Sequence, residues 1–296
     1  MPDKSCVKQV CGNSRLGKVL RIVCDNLRMD PNFEANRKMW DKFVDINARS
    51  EMYQLAEFKR GENKLNPLER SEVGDVKGKS LLHLQCHFGM DTLSWARLGA
   101  EVTGMDFSPE GIKLAQSLSQ ELSIPARFIC CNLYDLPAHL DGQFDIVYTS
   151  YGVLCWLPDL AKWAQIITSY IKPGGFFYIA EIHPTSNIFD NEKDVTELKL
   201  RYPYFHEGPM EFVADASYSC DEKMEPHKEY EWMHGLGEIV TSLCNAGLKI
   251  EFLHEFPFGC YPQFPFMHKD ANGDWRLPGD EAMIPLTFSL KAVKLV

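Results

Sequence analysis

The chain lacks several features that would by themselves assign it to a class of protein. No apolar run approaches the roughly 18–20 residues needed to span a bilayer, and the first residues contain no uninterrupted apolar core like that of a signal peptide. We therefore expect a cytoplasmic protein without membrane contact. No lysine- and arginine-rich cluster occurs in a chain of formal net charge −10. Nucleic acid is thus not an expected partner, because polyanion binders carry a basic face.

Paired metal-ligand motifs are also missing. The ten cysteines are scattered, and neither Cys6 with Cys11 nor the adjacent Cys130 and Cys131 forms the C-x2-C sets that hold zinc. His83 and His87 are four residues apart, but they lie on a predicted strand and loop rather than on one face of a helix. We expect no metal, and free thiols that are mostly buried.

The middle of the chain alternates between predicted strands and helices. The predicted strands are 80–84, 101–105, 126–131, 144–149 and 176–181, and the predicted helices are about 91–98, 108–121 and 158–171. This order predicts right-handed crossovers and a parallel sheet that is covered by helices on both faces. A helix at 235–246 and strands at 248–256 and 284–293 close the chain.

The remaining segments interrupt this alternation. Residues 1–34 are polar, apart from a possible short amphipathic helix at 16–27, and residues 36–58 predict one or two helices. Residues 182–232 are rich in proline, histidine, tyrosine and phenylalanine and predict no sustained helix. We expect an N-terminal extension and helical cover at 1–78 and one domain at 79–296, with substrate-side insertions at 182–232 and 257–283.

Residues 80–108 form a strand, a turn, a helix and a second strand that ends in an acidic residue. The turn is Gln85-Cys86-His87-Phe88-Gly89, and Asp106 follows Gly89 by 17 residues. Glycine lets a backbone approach a ligand closely, and a carboxylate at about this spacing grips ribose hydroxyls. The carboxyl ends of parallel strands meet at one edge of a sheet. We therefore expect the turn, Asp106, Asn132 and Ser150 to converge on one crevice.

This order of elements resembles the class I S-adenosylmethionine-dependent methyltransferases from about residue 79 to residue 296. The motifs that carry the resemblance are the turn, Asp106, Phe144-Asp145-Ile146-Val147 and the Lys172-Pro173-Gly174-Gly175 turn between a helix and the fifth strand. The closest subgroup comprises bacterial-type small-molecule enzymes that share the LHLQCHFG turn. The resemblance implies a Rossmann-like sheet of seven strands with helices on both faces and the last strand antiparallel, a helical cover and an inserted lid.

The resemblance also implies roles in binding S-adenosylmethionine. In the family turn an acidic residue is followed by three spaced glycines, and this chain has His83 at the acidic position and Gln85 and His87 at the first two glycine positions. We expect these two polar side chains to contact the cofactor carboxylate. The full set of expected cofactor residues is Gln85, His87, Gly89, Asp106 and Phe107 near the ribose, Asn132 at the adenine amine, Leu133 at the adenine face, and Ser150.

Expected substrate-side residues follow the fourth and fifth strands and lie in the cover and the insertions. His183 is the leading proton acceptor because its ordinary pKa is near neutrality; the opposing interpretation is a histidine bonded to the backbone of the insertion. Glu181 and Tyr151 complete the expected catalytic set. The expected substrate-binding residues are Trp40, Tyr53, Trp156, Tyr204, His206 and Tyr230, although several of these rings are equally expected to form a core.

We expect a methyltransferase that acts on a small molecule, as a monomer or homodimer. The acidic balance and the aromatic lid favour an amine nitrogen as acceptor, with a hydroxyl or carboxylate oxygen next and sulfur third. A second hypothesis is a partner subunit that binds the cofactor without methylating, which the altered turn favours. A third is a protein or nucleic-acid methyltransferase, against which a closed lid argues.

Overall fold

Helices precede the sheet at the start of the described chain. The computed structural model describes residues 31–220, 222–279 and 284–296, so the helix expected at 16–27 lies outside the described residues. The first helices are α1 (Pro31–Arg49), α2 (Leu55–Lys59) and α3 (Pro67–Val73). Helix α3 begins with a capping box, in which Asn66 and Glu69 satisfy each other's backbone N–H groups.

Seven of the described strands form one sheet in the order β3-β2-β1-β4-β5-β11-β8. Their bounds are β1 Ser80–Leu84, β2 Glu101–Asp106, β3 Arg127–Cys130, β4 Phe144–Thr149, β5 Ile171–Ile182, β8 Leu248–Phe256 and β11 Thr287–Lys294. Strands β1 to β5 pair in parallel. The last strand runs antiparallel to both neighbours, β5 and β8. The predicted Rossmann-like sheet with its reversed final strand is confirmed.

Helices cover both faces of this sheet. They are α4 (Met90–Arg97), α5 (Pro109–Glu121), α6 (Leu160–Tyr170) and α7 (Leu236–Asn245). Helix α5 begins where Ser108 accepts a hydrogen bond from the N–H of Gly111, and Pro109 fills the first turn. One large core lies under α6 and α7, where Trp163 and Phe177 are fully buried. A second core lies on the opposite face around Trp95, Tyr148 and Tyr178.

The Lys172–Gly175 segment differs from its prediction as a turn between a helix and a strand. Strand β5 already begins at Ile171, which pairs with Phe144, and the register then shifts before Ile146 pairs with Phe176. The segment is therefore an irregularity within the strand. Glycine is required at Gly175 because a Cβ there would lie 2.7 Å from the carbonyl oxygen of Asp145.

The insertion at 182–232 folds into an antiparallel hairpin of β6 (Pro209–Ala216) and β7 (Lys223–Trp232). As predicted, the described residues of this insertion, 182–220 and 222–232, contain no sustained helix. Helix α1 packs against β7 and α5, so the N-terminal helices and the hairpin meet beside the sheet. The second insertion contributes the short strands β9 (His268–Lys269) and β10 (Trp275–Arg276). Within the described residues, no helix is both long and apolar enough to cross a bilayer.

Gly89 has a role in packing that differs from the expected approach to a ligand. A Cβ at this position would lie 2.8 Å from the Cβ of Ala115 and 2.8 Å from Cε1 of Phe128. Its φ of +78° is also left-handed. The protein's own atoms thus occupy the space that a side chain would need, and the glycine lets α5 and β3 pack closely against the turn.

We predict that Gly89→Ala lowers the free energy of unfolding by about 2–4 kcal/mol, because overpacking adds to the cost of a left-handed alanine. Gly78→Ala is the matched control, since Gly78 has a φ of +71° with no atom within 4 Å of a built Cβ. The control should lose only about 1 kcal/mol. Urea denaturation measures both, and equal losses would contradict the packing role.

Candidate active site

The turn after β1, which we call the cofactor loop (residues 85–89), contains two non-glycine residues with left-handed backbone. Gln85 has a φ of +56° and His87 a φ of +49°. Each costs on the order of 1–2 kcal/mol relative to ordinary backbone. Hydrogen bonds hold the loop in place: the N–H of Cys86 donates to the carbonyl of Met105 at 2.9 Å, and the N–H of Gly89 donates to the carbonyl of Cys86 at 2.8 Å. The loop thus keeps a glycine-like path with polar side chains on it.

The carboxylate of Asp106 connects this loop to the next strand and helix. It accepts the N–H of His87 at 2.8 Å and the N–H of Ser108 at 2.9 Å. Burial raises the pKa of Asp106 to about 6, although these N–H groups act in the opposite direction. Each carboxylate oxygen keeps a further lone pair. The geometry therefore leaves capacity for hydroxyl donors such as those of a ribose.

His87 also contacts the N-terminal segment 31–59, which we call the cover (α1, α2 and the turn between them). The Nδ2 atom of Asn47 lies 3.1 Å from Nε2 of His87. The rings of Trp40 and Tyr53 lie 5.1 and 5.6 Å from the His87 ring. Burial lowers the pKa of His87 to about 3, so the imidazole is neutral at physiological pH. Cover and cofactor loop are thus in direct contact through one neutral histidine.

Two polar atoms of the cofactor loop have no partner among the described residues. They are Oε1 of Gln85 and Nδ1 of His87, and both are buried. The Gln85 amide is held in place because its Nε2 donates to the carbonyl of Val153 at 3.0 Å. Buried polar atoms are seldom left unpaired. Together with the spare lone pairs of Asp106, they fit a polar cofactor that supplies the missing partners.

His83 stands at the acidic position of the family turn and has a different function there. Its Nδ1 lies 2.8 Å from the Thr92 hydroxyl, which ties β1 to α4. Burial lowers its pKa to about 3, so this substitution replaces a charge by a neutral group.

Of the two residues predicted to contact the adenine ring, only one has a side chain that is placed to do so. Asn132 follows β3, and its Oδ1 accepts the N–H of Tyr134, which leaves its Nδ2 without a partner that the structure records among the described residues. Leu133, in contrast, is 3% exposed and belongs to the main core. Its side chain therefore does not offer a free face for an adenine ring. Phe107 is half-buried beside Asp106.

Ser150 lies at the end of β4, next to a carboxylate that the sequence did not single out. The Ser150 hydroxyl is 3.5 Å from Oδ2 of Asp91, at the start of α4. Burial raises the pKa of Asp91, and the contact to Ser150 lowers it. Tyr151 follows directly, and burial raises the pKa of its phenol well above the ordinary value. This strand end thus combines a hydroxyl, a phenol and a carboxylate with few partners.

Glu181 serves the protein's own backbone. Its carboxylate accepts the N–H groups of Gly152, Val153, Leu154 and Ile182. Burial raises its pKa while these four donors lower it. The side chain is 4% exposed. It therefore holds the loop that follows β4, and the contacts give it a positioning role rather than a free carboxylate aimed at a substrate.

His183 is likewise fully partnered. Its Nδ1 accepts the N–H of Thr185 at 3.1 Å, and its Nε2 lies 2.8 Å from a carboxylate oxygen of Glu255. Burial lowers its pKa, and Glu255 acts in the opposite direction. With Nδ1 taken as acceptor, no nitrogen is left to receive a substrate proton. The contacts favour the opposing interpretation, a histidine bonded to the backbone of the insertion.

Some of the expected substrate-binding rings meet, and others do not. Trp40 and Trp156 lie 5.5 Å apart and almost perpendicular, and Nε1 of Trp156 donates to the carbonyl of Gly152 at 2.8 Å. The Tyr53 hydroxyl bonds that of Tyr218, a residue the sequence did not indicate. Trp40 and Tyr53 contact the cofactor loop directly, and Trp156 and Tyr218 pack against these two rings.

The expected substrate-binding residues of the insertion at 182–232 lie elsewhere. The Tyr204 hydroxyl accepts the N–H of Leu236 at 3.0 Å, and its ring lines a small cavity of about 40 Å³ beside Glu181 and Trp232. His206 is exposed. Tyr230 directs its hydroxyl outward to Glu211 at 3.0 Å. His206 and Tyr230 are therefore not brought to the cofactor loop.

Two carboxylates on β7, Glu229 and Glu231, were also missed. They flank Tyr230, so they project to the face opposite that of its ring. Burial raises the pKa of both, that of Glu231 to about 8. The two faces of this strand could have been predicted from the sequence, because residues of different type alternate along His227-Lys228-Glu229-Tyr230-Glu231-Trp232.

The known proteins and the family model that this chain resembles are methyltransferases. Residues 82–179 match the family model described as a methyltransferase domain. A ubiquinone biosynthesis O-methyltransferase of Chromobacterium violaceum is 28% identical over 165 residues, which cover 56% of this chain and 66% of that protein. The chain spans about half to two thirds of the length of the curated relatives it matches.

Solved structures show the same fold. An S-adenosylmethionine-dependent methyltransferase of Mesorhizobium loti superimposes with a TM-score of 0.53 at 19% identity, covering 79% of this chain and 99% of that one. A glycopeptide N-methyltransferase complexed with S-adenosyl-L-methionine gives a TM-score of 0.51 at 15% identity, covering 77% of this chain and 86% of that one. The expected fold class is confirmed.

We predict that Glu181→Gln lowers the free energy of unfolding by about 2–4 kcal/mol, because buried N–H groups lose a charged acceptor. Glu255→Gln is the control: its side chain is 52% exposed and, in the part of the chain that the structure describes, hydrogen-bonds to His183 alone, so about 1 kcal/mol or less is expected. Urea denaturation measures both. A Glu181→Gln loss no larger than the control would contradict the positioning role.

Proposed function

We propose that this chain, a member of the class I S-adenosylmethionine-dependent methyltransferases, transfers a methyl group from that cofactor to a small-molecule acceptor. The observation that carries the proposal is the convergence of polar groups at consecutive strand ends. The cofactor loop follows β1, Asp106 ends β2, Asn132 follows β3 and Ser150 follows β4. In open α/β sheets this edge is where ligands bind.

The residues of this edge have distinct proposed roles in holding the cofactor. Asp106 accepts the ribose hydroxyls, and Asn132 contacts the adenine edge beside Phe107. The unpartnered atoms of Gln85 and His87 bond the methionine end, together with Ser150. Gly89 supports these contacts indirectly because it allows the loop to pack on α5 and β3.

The bound cofactor supplies a methyl group on a positively charged sulfur, ready for in-line displacement by an acceptor atom. The chain has to align that atom and exclude water. The cover closes one side, since Trp40, Asn47 and Tyr53 contact the cofactor loop. Glu181 fixes the loop at 152–154 and thereby places Tyr151 and Trp156. Asp91 offers a carboxylate beside Ser150 that can orient an ammonium group or accept a proton.

We propose an amine nitrogen as acceptor, and we assign Asp91, Glu229 and Glu231 to the acceptor side. The support is that, among the described residues, none of these three carboxylates forms an ion pair with a lysine or arginine. Oxygen is the second candidate, and the observation that favours it is the name of the relatives, ubiquinone biosynthesis O-methyltransferases. Those relatives match only part of the chain. The insertions at 182–232 and 257–283, which would contact the acceptor, fall outside the residues of the family model.

We predict that the chain binds S-adenosylhomocysteine and that Asp106→Asn weakens this binding at least about tenfold, since charged acceptors form the stronger hydrogen bonds. Binding requires the ionised carboxylate. Because the pKa of Asp106 is about 6, affinity should be constant above that pH and fall about tenfold per pH unit below it. Isothermal titration calorimetry between pH 5 and pH 8 measures both effects.

Asp135→Asn is a control, because Asp135 is exposed and, among the described residues, its side chain forms no hydrogen bond or ion pair with Asp106 or the cofactor loop. It should leave the affinity unchanged. Absence of binding to the native chain would contradict the proposed function. Binding without turnover in any acceptor screen would favour a partner subunit that uses the cofactor site without catalysis.

We predict that incubation with deuteromethyl-labelled S-adenosylmethionine and metabolite pools sorted into amines, phenols and carboxylates labels a compound of the amine pool. Mass spectrometry of the labelled product assigns the methyl group to nitrogen or oxygen. Label on a phenol or carboxylate would replace the first candidate by the second.

A further inference from the structure

The inner face of the hairpin carries two carboxylates that no described residue neutralises. His227, Glu229 and Glu231 alternate along β7 and share one face. That face is directed toward α1, because the His227 ring lies 5.4 Å from the Phe43 ring. Lys228 and Tyr230 lie on the opposite face, where both contact Glu211.

Asn36 of the cover fixes the position of this strand. Its side-chain amide accepts the N–H of Tyr230 at 2.9 Å and donates to the carbonyl of the same residue at 2.8 Å. The two bonds satisfy the free edge of β7 at the residue between the two glutamates. Asn36 is fully buried. Glu229 and Glu231 are therefore held in place by a rigid backbone contact rather than by their own charges.

The two carboxylates face the site proposed for the acceptor. Strand β7 contacts the short helix Leu154–Trp156 that follows β4. Glu231 and Glu229 act on the Cys155 thiol, whose pKa is raised by burial first and by these carboxylates in addition. Both glutamates are half-buried. Neither forms a hydrogen bond or an ion pair through its side chain with a residue that the structure describes.

Two observations besides the carboxylates indicate a ligand at this place. The Nε2 of His227 is buried without a partner among the described residues, and it is the nitrogen left to accept a hydrogen bond, because Nδ1 faces the carbonyl oxygen of Glu225 at 3.3 Å. The rings of Trp40 and Trp156 also meet at 88°, with their centroids 5.5 Å apart, and thus form two adjoining walls. Aromatic faces attract ammonium and guanidinium groups.

We propose that Glu229, Glu231, Trp40 and Trp156 form a cation-binding subsite, and that the acceptor carries an ammonium or guanidinium group that docks there. This inference rests on the proposed function, because it gives that site its substrate class. Burial and the neighbouring Glu229 disfavour ionisation of Glu231 and raise its pKa to about 8, because two like charges in a half-buried setting repel each other. A cationic ligand removes this repulsion and replaces the lost water, whereas a neutral or anionic ligand does neither.

The test uses two pairs of probes that differ in charge but have nearly the same shape. Choline is paired with 3,3-dimethylbutan-1-ol, and phenethylammonium with 2-phenylethanol. Each is titrated calorimetrically into the full chain, with and without saturating S-adenosylhomocysteine. We expect at least one cation to bind at least about tenfold more tightly than its neutral partner. Equal affinities within both pairs, or no binding of either cation, would overturn the subsite.

Variants assign the effect to the two glutamates. The double substitution Glu229→Gln and Glu231→Gln keeps their shape, and it should reduce the preference for the cation to less than about threefold. Glu211→Gln, on the outer side of the hairpin, should leave the preference unchanged. A preference that persists in the double variant would contradict the assignment. Thermal unfolding of each variant shows that it is folded.

The experiment separates this inference from the proposed function. Affinity for S-adenosylhomocysteine should be the same in the native chain and in the double variant, because the glutamates lie outside the cofactor loop. Loss of the cation preference with cofactor affinity intact supports the subsite. Native chain that binds S-adenosylhomocysteine but shows no cation preference refutes the subsite alone, whereas failure to bind S-adenosylhomocysteine refutes the proposed function.

Discussion

The carboxylate of Asp106 is the point on which the candidate site depends. It accepts the N–H groups of His87 and Ser108, and thereby joins the cofactor loop, the end of β2 and the start of α5. The Ser108 hydroxyl then donates to Asp41 of α1 at 2.6 Å, which extends the connection to the cover. Since burial raises the pKa of Asp106 from 3.8 to about 6, the stability of the fold decreases as the pH rises between these two values and stays at the lower level above pH 6. Hydrogen bonds to the carboxylate, including those that a ribose would add, offset this cost.

Polar residues at the glycine positions change how the cofactor loop is held. Gln85 and His87 keep the left-handed backbone that glycine usually provides, and their side chains bond Val153 and Asn47 in return. The loop is consequently tied to the segment after β4 and to the cover. We infer that a cofactor bound here is enclosed by groups that also position the acceptor. Cofactor loop, cover and acceptor side then act as one unit.

Much of this could be predicted from the sequence, for identifiable reasons. The apolar runs that precede Gly89, Asp106 and Ser150 indicated where the strands end. Hydrophobic periodicity and turn residues can be recognised locally in the sequence. The packing role of Gly89 was not predicted, because it depends on Ala115 and Phe128, which are distant in sequence. The prediction of a turn at Lys172–Gly175 was wrong, because the same residue types occur in turns and in bulges within a strand. Partners of Glu181 and His183 depend on tertiary contacts that no local pattern records.

The central claim is that the cofactor loop and the cover together bind S-adenosylmethionine. Hydrogen–deuterium exchange of the full chain with and without S-adenosylhomocysteine tests it most directly, because it reports each segment separately. We expect slower amide exchange in residues 85–89, in 106–108 and in α1, with little change in β8 and β11. Unchanged exchange in the cofactor loop and the cover at saturating ligand would contradict the account.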